Sequence, residues 1–253
     1  MRRIGLVVSV LLLAGCGGTG AAKVVRQTAQ NIRDIRSGVL HVKMLVKPHG
    51  AKAQPFGFEL EGPFSLGQNG SPPLAHLSYT QIVNGKQATA SLVLGRNSGS
   101  ITTNGSTHAL TASAFDSVRG AARSAGAESK QFLPVEKWVT HATLHSCGAN
   151  ECVTGQLDVV KATNDLLSIG RALGRDLPVL TGANEDQLRK AVRSGTFELV
   201  TGKTDRLLHR LSIRLDLGLN VPQELTTALG RVVGAKFTLD FSIDRPNSTA
   251  VSG

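Results

Sequence analysis

The amino-acid sequence predicts an α+β fold in which one large, curved antiparallel β-sheet carries helices packed on its concave face as a lid. Many short runs alternate apolar and polar residues with a period of two, as half-buried strands do. The turn signals Asn84-Gly85 and Asn104-Gly105 favour hairpins, and hairpins join antiparallel neighbours. Few segments have helical periodicity, so the strands must bury their apolar faces by rolling into a barrel or sandwich or by taking these helices onto one side.

The N-terminus carries the most specific motif of the chain. Two arginines give a positive start, residues 4–13 form a short apolar run, and the run ends in Leu13-Ala14-Gly15-Cys16. This pattern is typical of a lipoprotein signal peptide, residues 1–15, whose cleavage leaves Cys16 to carry a diacylglycerol. An ordinary signal peptide with an incidental cysteine is the alternative. The apolar run is shorter than the ~20 residues of a membrane-spanning helix, and no later segment approaches that length.

Residues 16–22 are expected to form the lipidated N-terminus and a flexible spacer, because the string GGTGAA offers only small side chains. A helix of about four turns follows, since Val25, Ala29 and Ile32 recur at helical spacing before Gly38. Two strands come next, at residues 40–47 and 56–60. Their apolar faces carry Val42, Met44, Phe56, Phe58 and Leu60.

The middle of the chain is predicted to meander. Strands are predicted at residues 74–83, 88–94, 100–103 and 107–110, a helix at 113–125, and further strands at 133–139, 140–146 and 153–159. Cys147 and Cys152 lie between the last two strands, and outside the cytoplasm they are expected to form a disulfide at the end of a hairpin. The alternative is a metal site that combines Cys147 with His141 and His145.

The last third of the chain combines a helical segment with long strands. Two amphipathic helices are predicted at residues 163–173 and 185–194, and strands at 196–201, 206–217 and 236–244. The apolar faces of the last two strands carry Leu211, Ile213, Phe237, Leu239 and Phe241. Residues 23–246 are therefore expected to form one domain, followed by a disordered polar tail at 247–253.

The charge balance is basic. The chain has 28 lysines and arginines against 18 acidic residues, a net charge of +10. Aromatic residues make up only 4% of the chain, which argues against the stacking platform of a single-stranded nucleic-acid binder, so no nucleic-acid partner is expected. We favour attraction to anionic lipid head groups, with plain solubility as the alternative.

A curved sheet wrapped around few helices leaves a concave apolar interior that suits acyl chains. We expect residues 164–194 to act as a movable lid over it. For each apolar side chain, membership of an ordinary packed core is the alternative. The candidate cavity residues are Val42, Met44, Phe56, Phe58, Leu60, Leu77, Leu211, Ile213, Phe237, Leu239 and Phe241.

Two stretches carry a family resemblance: GQLDV at residues 155–159, running into a helix, and FELVTGKTDRLLHRL at residues 197–211. The second resembles the strand, Gly-Lys-x-Asp turn and strand unit of the LolA/LppX-LprAFG group of envelope lipoproteins. The resemblance extends over roughly residues 22–246 through the order of its elements. It implies a half-open β-barrel closed by helices, whose cavity holds lipids, glycolipids or lipoprotein acyl chains.

No catalytic motif is found: the sequence lacks a Gly-x-Ser-x-Gly elbow, a His-Glu-x-x-His pair and a phosphate-binding glycine loop. We therefore expect no enzymatic activity, no cofactor and no metal. The favoured interpretation is a lipoprotein anchored through Cys16 on the extracytoplasmic face of a bacterial membrane, binding a lipid or glycolipid. The alternative is a tethered interaction or sensor module with the same fold, no lipid cargo and an envelope protein partner.

Overall fold

The structure is a computed structural model that describes residues 17–50, 54–67, 72–127, 135–172, 176–218, 222 and 234–252. Its helices are α1 (Gly17–Asn31), α2 (Ala112–Ala127), α3 (Val159–Ala172) and α4 (Gly182–Ala191). Its strands are β1 (Ser37–Pro48), β2 (Phe56–Ser65), β3 (Leu74–Val83), β4 (Lys86–Leu94), β5 (Gly99–Thr103), β6 (Ser106–Ala109), β7 (Val139–Cys147), β8 (Asn150–Leu157), β9 (Val192–Gly202), β10 (Leu208–Leu217) and β11 (Ala235–Asp244).

The described strands form one open, antiparallel sheet in the order β6-β5-β4-β3-β2-β1-β11-β10-β9-β8-β7. Two meanders, β1 to β6 and β7 to β11, are joined at the centre, where the first strand pairs with the last. The edges, β6 and β7, do not pair with each other, so the sheet is not closed. The predicted α+β fold with a large antiparallel sheet is confirmed.

Register assigns each side chain to a face, because residues directly opposite each other on antiparallel strands project to the same side. Val42 lies opposite Leu60 on β2 and opposite Phe241 on β11. Phe241 in turn lies opposite Leu211 on β10. We call the face that carries these four residues the inner face, and the other the outer face.

Helices α1 and α2 pack on the inner face over different halves of the sheet. Val24 and Val25 of α1 join a buried cluster with Phe197, Leu199 and other residues of β8 to β11. A fully buried hydrogen bond of 2.9 Å between the hydroxyls of Thr28 and Thr201 fixes α1 on β9. Phe115 of α2 packs with side chains of β3 and β4.

Helices α3 and α4 form a third buried cluster at one end of the β8 to β10 strands. Leu167 of α3 and Leu188 of α4 pack there with Leu215 and Leu217 of β10. Helix α3 starts at Val159 because Asp158 caps it: its carboxylate accepts the Lys161 amide hydrogen at 3.0 Å. Leu215 lies opposite Phe237 of β11, one of the two strands at the centre of the sheet. The two helices therefore cover a region next to that centre.

Several boundaries differ from those predicted. Residues 17–22 belong to α1 rather than to a flexible spacer, because Ala21 is buried against the core. Residues 192–194 start β9 instead of ending a helix, since Val192 and Ser194 pair with β10. Residues 135–137 form a 3-10 turn before β7, where a strand was predicted. Residues 1–16, with the predicted signal peptide and Cys16, lie outside the described residues.

The C-terminal tail has no regular structure over residues 247–252, yet its first residue is bound to the domain. The Asn247 side-chain oxygen accepts the Arg36 amide hydrogen at 2.6 Å. Its Nδ2 donates to the Asp34 carbonyl oxygen at 3.0 Å. The predicted disordered tail therefore does not include Asn247, because this side chain satisfies backbone groups that precede β1.

Candidate functional site

The inner face carries an apolar surface across the four central strands, β10, β11, β1 and β2. Met44 lies opposite Phe58 on one side and Leu239 on the other, and this row continues the one that contains Val42. The side chains of both rows are half-buried, apart from those that α1 covers. We call the following nine residues the inner strip: Val42, Met44, Phe56, Phe58, Leu60, Leu211, Phe237, Leu239 and Phe241.

The inner strip divides into a supported part and an open part. Leu211, Phe237, Leu239 and Phe241 pack against the buried cluster beneath α1. The other five residues are half-buried and join none of the three buried clusters that the described residues form; they are Val42, Met44, Phe56, Phe58 and Leu60. Among the described residues, no buried cluster covers these five side chains, so they form an apolar surface rather than part of a packed core.

Aromatic and aliphatic side chains extend this surface onto β3. The rings of Phe58 and Tyr79 stack with their centroids 6.0 Å apart. Tyr79 is 40% exposed and Val83 is 47% exposed. Tyr79 lies opposite Leu60, so it belongs to the inner face. Its chemical character, a flat apolar ring with a polar tip, suits the border between an apolar ligand and water.

The remaining two candidates from the sequence lie at the margins of the inner strip. Leu77 packs against the cluster beneath α2, beside Ala75, Leu94 and Phe115. Ile213 is 6% exposed and belongs to the main core. All eleven predicted side chains therefore share the inner face, although Ile213 is covered by packing within the protein. Tyr79 was missed, although its alternation with Leu77 along one strand could have placed it on the same face.

Hydrogen bonds attach the predicted lid to the rest of the fold at defined points. The indole Nε1 of Trp138, which is 3% exposed, donates to the Asp165 carboxylate of α3 at 2.8 Å. The Asn164 side-chain amide donates to Glu185 of α4 at 2.7 Å, which couples the two helices. A hinge movement of residues 164–194 would have to break the hydrogen bond between Trp138 and Asp165. It could preserve the hydrogen bond between Asn164 and Glu185.

The outer face has the opposite character. Lys43 forms an ion pair with Glu59. The Asp240 carboxylate accepts a hydrogen bond from the Ser212 hydroxyl at 2.8 Å and pairs with the Arg210 guanidinium at 3.4 Å. A groove of about 200 Å³ is lined by Lys43, Glu59, Arg210, Asp240 and His41, among other residues. Most charges there are balanced within the sheet, so this face is organised for solvent and cross-strand pairing rather than for an apolar ligand.

The disulfide predicted between Cys147 and Cys152 is present and closes the β7–β8 hairpin, with Cα atoms 5.8 Å apart. Because both sulfur atoms are bonded, Cys147 is not available for the alternative metal site. No group of three or more potential ligands among the described residues is arranged to hold a metal ion. No helix in the described part of the chain has the length and apolar character needed to span a membrane.

Comparison with solved structures aligns the chain with a crystal structure of LprF from Mycobacterium bovis, at a TM-score of 0.47 and 11% sequence identity. The alignment covers 94% of this chain and 97% of that one. No protein-family model matches the sequence, and no curated protein matches it.

Proposed function

We propose that this protein is an extracytoplasmic lipoprotein, anchored to a bacterial membrane through Cys16, that binds and carries the acyl chains of a lipid or glycolipid on its inner strip. The observation that carries the proposal is the in-register apolar surface over β10, β11, β1 and β2, half-buried on one face of a sheet whose other face is charged. The sequence resemblance to envelope lipoproteins supports the same function. No catalytic step is part of the proposal.

The energetics favour a long apolar chain as the ligand. Each methylene group that leaves water contributes about 0.8 kcal/mol, so ten methylenes contribute roughly 8 kcal/mol before the cost of ordering the chain. The ligand also covers the half-buried side chains of the open part, such as Phe58 and Leu60, and the removal of their apolar surface from water adds to the binding free energy. A small polar ligand would obtain neither contribution from this surface.

The proposed anchor would join the domain without a long tether. Helix α1 begins at Gly17, directly after Cys16, and lies against the β7 to β10 half of the sheet. Acylation at Cys16 therefore places the domain close to the membrane, where lipid can reach the inner strip. The basic balance of the chain adds attraction to anionic head groups.

Native mass spectrometry with lipid extraction tests this function on the protein without residues 1–16, purified from its own host. We expect a stoichiometric lipid in the parent protein. Phe58→Glu should abolish retention, because a carboxylate in the inner strip is incompatible with a buried acyl chain. The matched control is Thr238→Glu, which places the same charge on the outer face beside Arg214 and should retain the lipid.

Circular dichroism and thermal unfolding establish that both variants are folded before retention is compared. Retention by folded Phe58→Glu would contradict the assignment of the inner strip. A clean apo mass for the parent protein, with no uptake of offered lipids, would overturn the carrier function and favour the tethered interaction or sensor module.

A further inference from the structure

Arg119 of α2 is a cation with an incomplete environment. Its guanidinium carbon lies 5.2 Å from the centre of the Phe115 ring, in a cation–π arrangement. Among the described residues, its Nε atom is buried and has no hydrogen-bond partner. The side chain is therefore not fully satisfied by contacts within the described part of the protein.

Arg119 lacks the carboxylate partner that several other arginines of the described chain have. Arg206 pairs with Glu151, Arg189 with Asp186, and Arg210 with Asp240. Within the part of the chain that the structure describes, no carboxylate lies within 4.0 Å of Arg119. The ring of Phe115 partly desolvates the guanidinium but supplies no acceptor for its N–H groups.

The packing of α2 places Arg119 beside the inner strip. Phe115 belongs to a buried cluster against which Leu77 of β3 packs. Leu77 precedes Tyr79 by two residues on the same face, a step of about 7 Å along the strand. Tyr79 lies opposite Leu60, which belongs to the inner strip. Arg119 thus lies on the helix that packs against β3, the strand next to the inner strip.

We propose that Arg119 binds an anionic headgroup, a phosphate or carboxylate, of the amphiphile whose acyl chain occupies the inner strip; this rests on the proposed function. The planar guanidinium donates parallel N–H bonds to such a group from its two terminal nitrogens. A neutral headgroup has uncharged acceptors, so its hydrogen bonds to the partly desolvated guanidinium beside Phe115 are weaker than those of an anionic headgroup.

Binding of two lipids with identical acyl chains tests the proposal: palmitoyl-oleoyl phosphatidylglycerol, whose headgroup carries an anionic phosphate, and palmitoyl-oleoyl glycerol, whose headgroup is a neutral hydroxyl. The protein without residues 1–16 is titrated with each lipid, and complexes are quantified by native mass spectrometry. We expect the parent protein to prefer phosphatidylglycerol about tenfold or more, as one charge-assisted hydrogen bond allows.

Arg119→Gln should remove this preference and leave the binding of palmitoyl-oleoyl glycerol unchanged, while Arg119→Lys should keep part of it because the charge remains. The control Arg96→Gln removes an exposed arginine after β4 and should behave like the parent protein. Equal affinity of the parent for the two lipids, or an unchanged preference in Arg119→Gln, would overturn the headgroup site while leaving the acyl-chain function intact. Binding of neither lipid by the folded parent would instead overturn the proposed function, and the headgroup site with it.

Inorganic phosphate separates a lipid headgroup from a free anion. If Arg119 serves a lipid, millimolar phosphate should compete only weakly, and Phe58→Glu should abolish phosphatidylglycerol binding. Phosphate binding that depends on Arg119, matches phosphatidylglycerol in affinity and survives Phe58→Glu would assign the site to a free anion and overturn the headgroup proposal.

Discussion

At the scale of single residues, the close approach of β2 and β3 depends on a position where only glycine fits. Gly62 lies opposite Leu40 of β1 and has a φ of 138°. A Cβ atom there would lie 2.0 Å from the backbone carbonyl oxygen of His76. Neighbouring backbone cannot move away without breaking the pairing of β2 with β3, so this glycine is a structural requirement.

We expect Gly62→Ala to lower the free energy of unfolding by about 2 kcal/mol or more, because it combines backbone strain with a steric clash. Urea denaturation followed by circular dichroism measures the change. The control is Gly120→Ala in α2, where a Cβ meets nothing within 4 Å and alanine should add up to about 1 kcal/mol. Equal stability of Gly62→Ala and the parent protein would refute the close approach of β2 and β3.

Residue-level prediction from sequence succeeded where the signal is local. The alternation along β1 and β2 assigned Val42 and Phe58 to one face, because successive side chains of a strand must point to opposite sides. The five-residue separation of Cys147 and Cys152 across turn-forming residues predicted their disulfide. Arg119 had no such signal, since its environment arises from the contact of α2 with β3 and β4.

At the scale of elements, helix boundaries were the least predictable feature. The string GGTGAA has weak helical propensity, yet residues 17–22 are helical because Ala21 is buried against the core. A local sequence pattern does not predict a tertiary contact of this kind. The helix predicted at residues 185–194 likewise ends at Ala191, because the next residues pair with β10 and form the start of β9.

Trp138 provides a reporter for movement of α3, since it is the sole tryptophan of the chain. We expect Asp165→Ala to destabilise the attachment of α3 by about 1–3 kcal/mol, because the buried indole N–H loses its acceptor. The emission of Trp138 should shift to the red as water enters. The control Asp186→Ala removes an exposed carboxylate of α4 that pairs only with Arg189, and it should leave the emission unchanged.

The same fluorescence measurement tests the lid. If residues 164–194 open when lipid enters, addition of lipid should change the Trp138 emission of the parent protein, and Asp165→Ala should accelerate uptake. Uptake at an unchanged rate with constant emission would show that lipid enters without displacement of α3, and the lid role would be abandoned.

At the scale of the whole molecule, the sheet is assembled by one contact that no local pattern specifies. Hairpin signals such as Asn84-Gly85 predicted neighbours within each meander. The pairing of β1 with β11 joins residues about two hundred positions apart, as in Val42 with Phe241. This contact places the apolar faces of both meanders side by side and creates the continuous inner strip. The candidate residues could therefore be named from sequence, whereas their contiguity required the structure.

The anchor connects this sheet to its place of action, and Cys16→Ala tests it in the producing cell. We expect the parent protein to incorporate a labelled palmitate analogue and to sediment with membranes, because two or more acyl chains give stable attachment. Cys16→Ala should lose the label, since no thiol remains at the lipobox. The control Cys147→Ser with Cys152→Ser removes the other two cysteines and should keep the label. If the parent protein loses residues 1–15 but carries no label, residues 1–15 are an ordinary signal peptide and Cys16 is not lipidated. A lipid bound to the inner strip of that protein would then be carried without a membrane anchor.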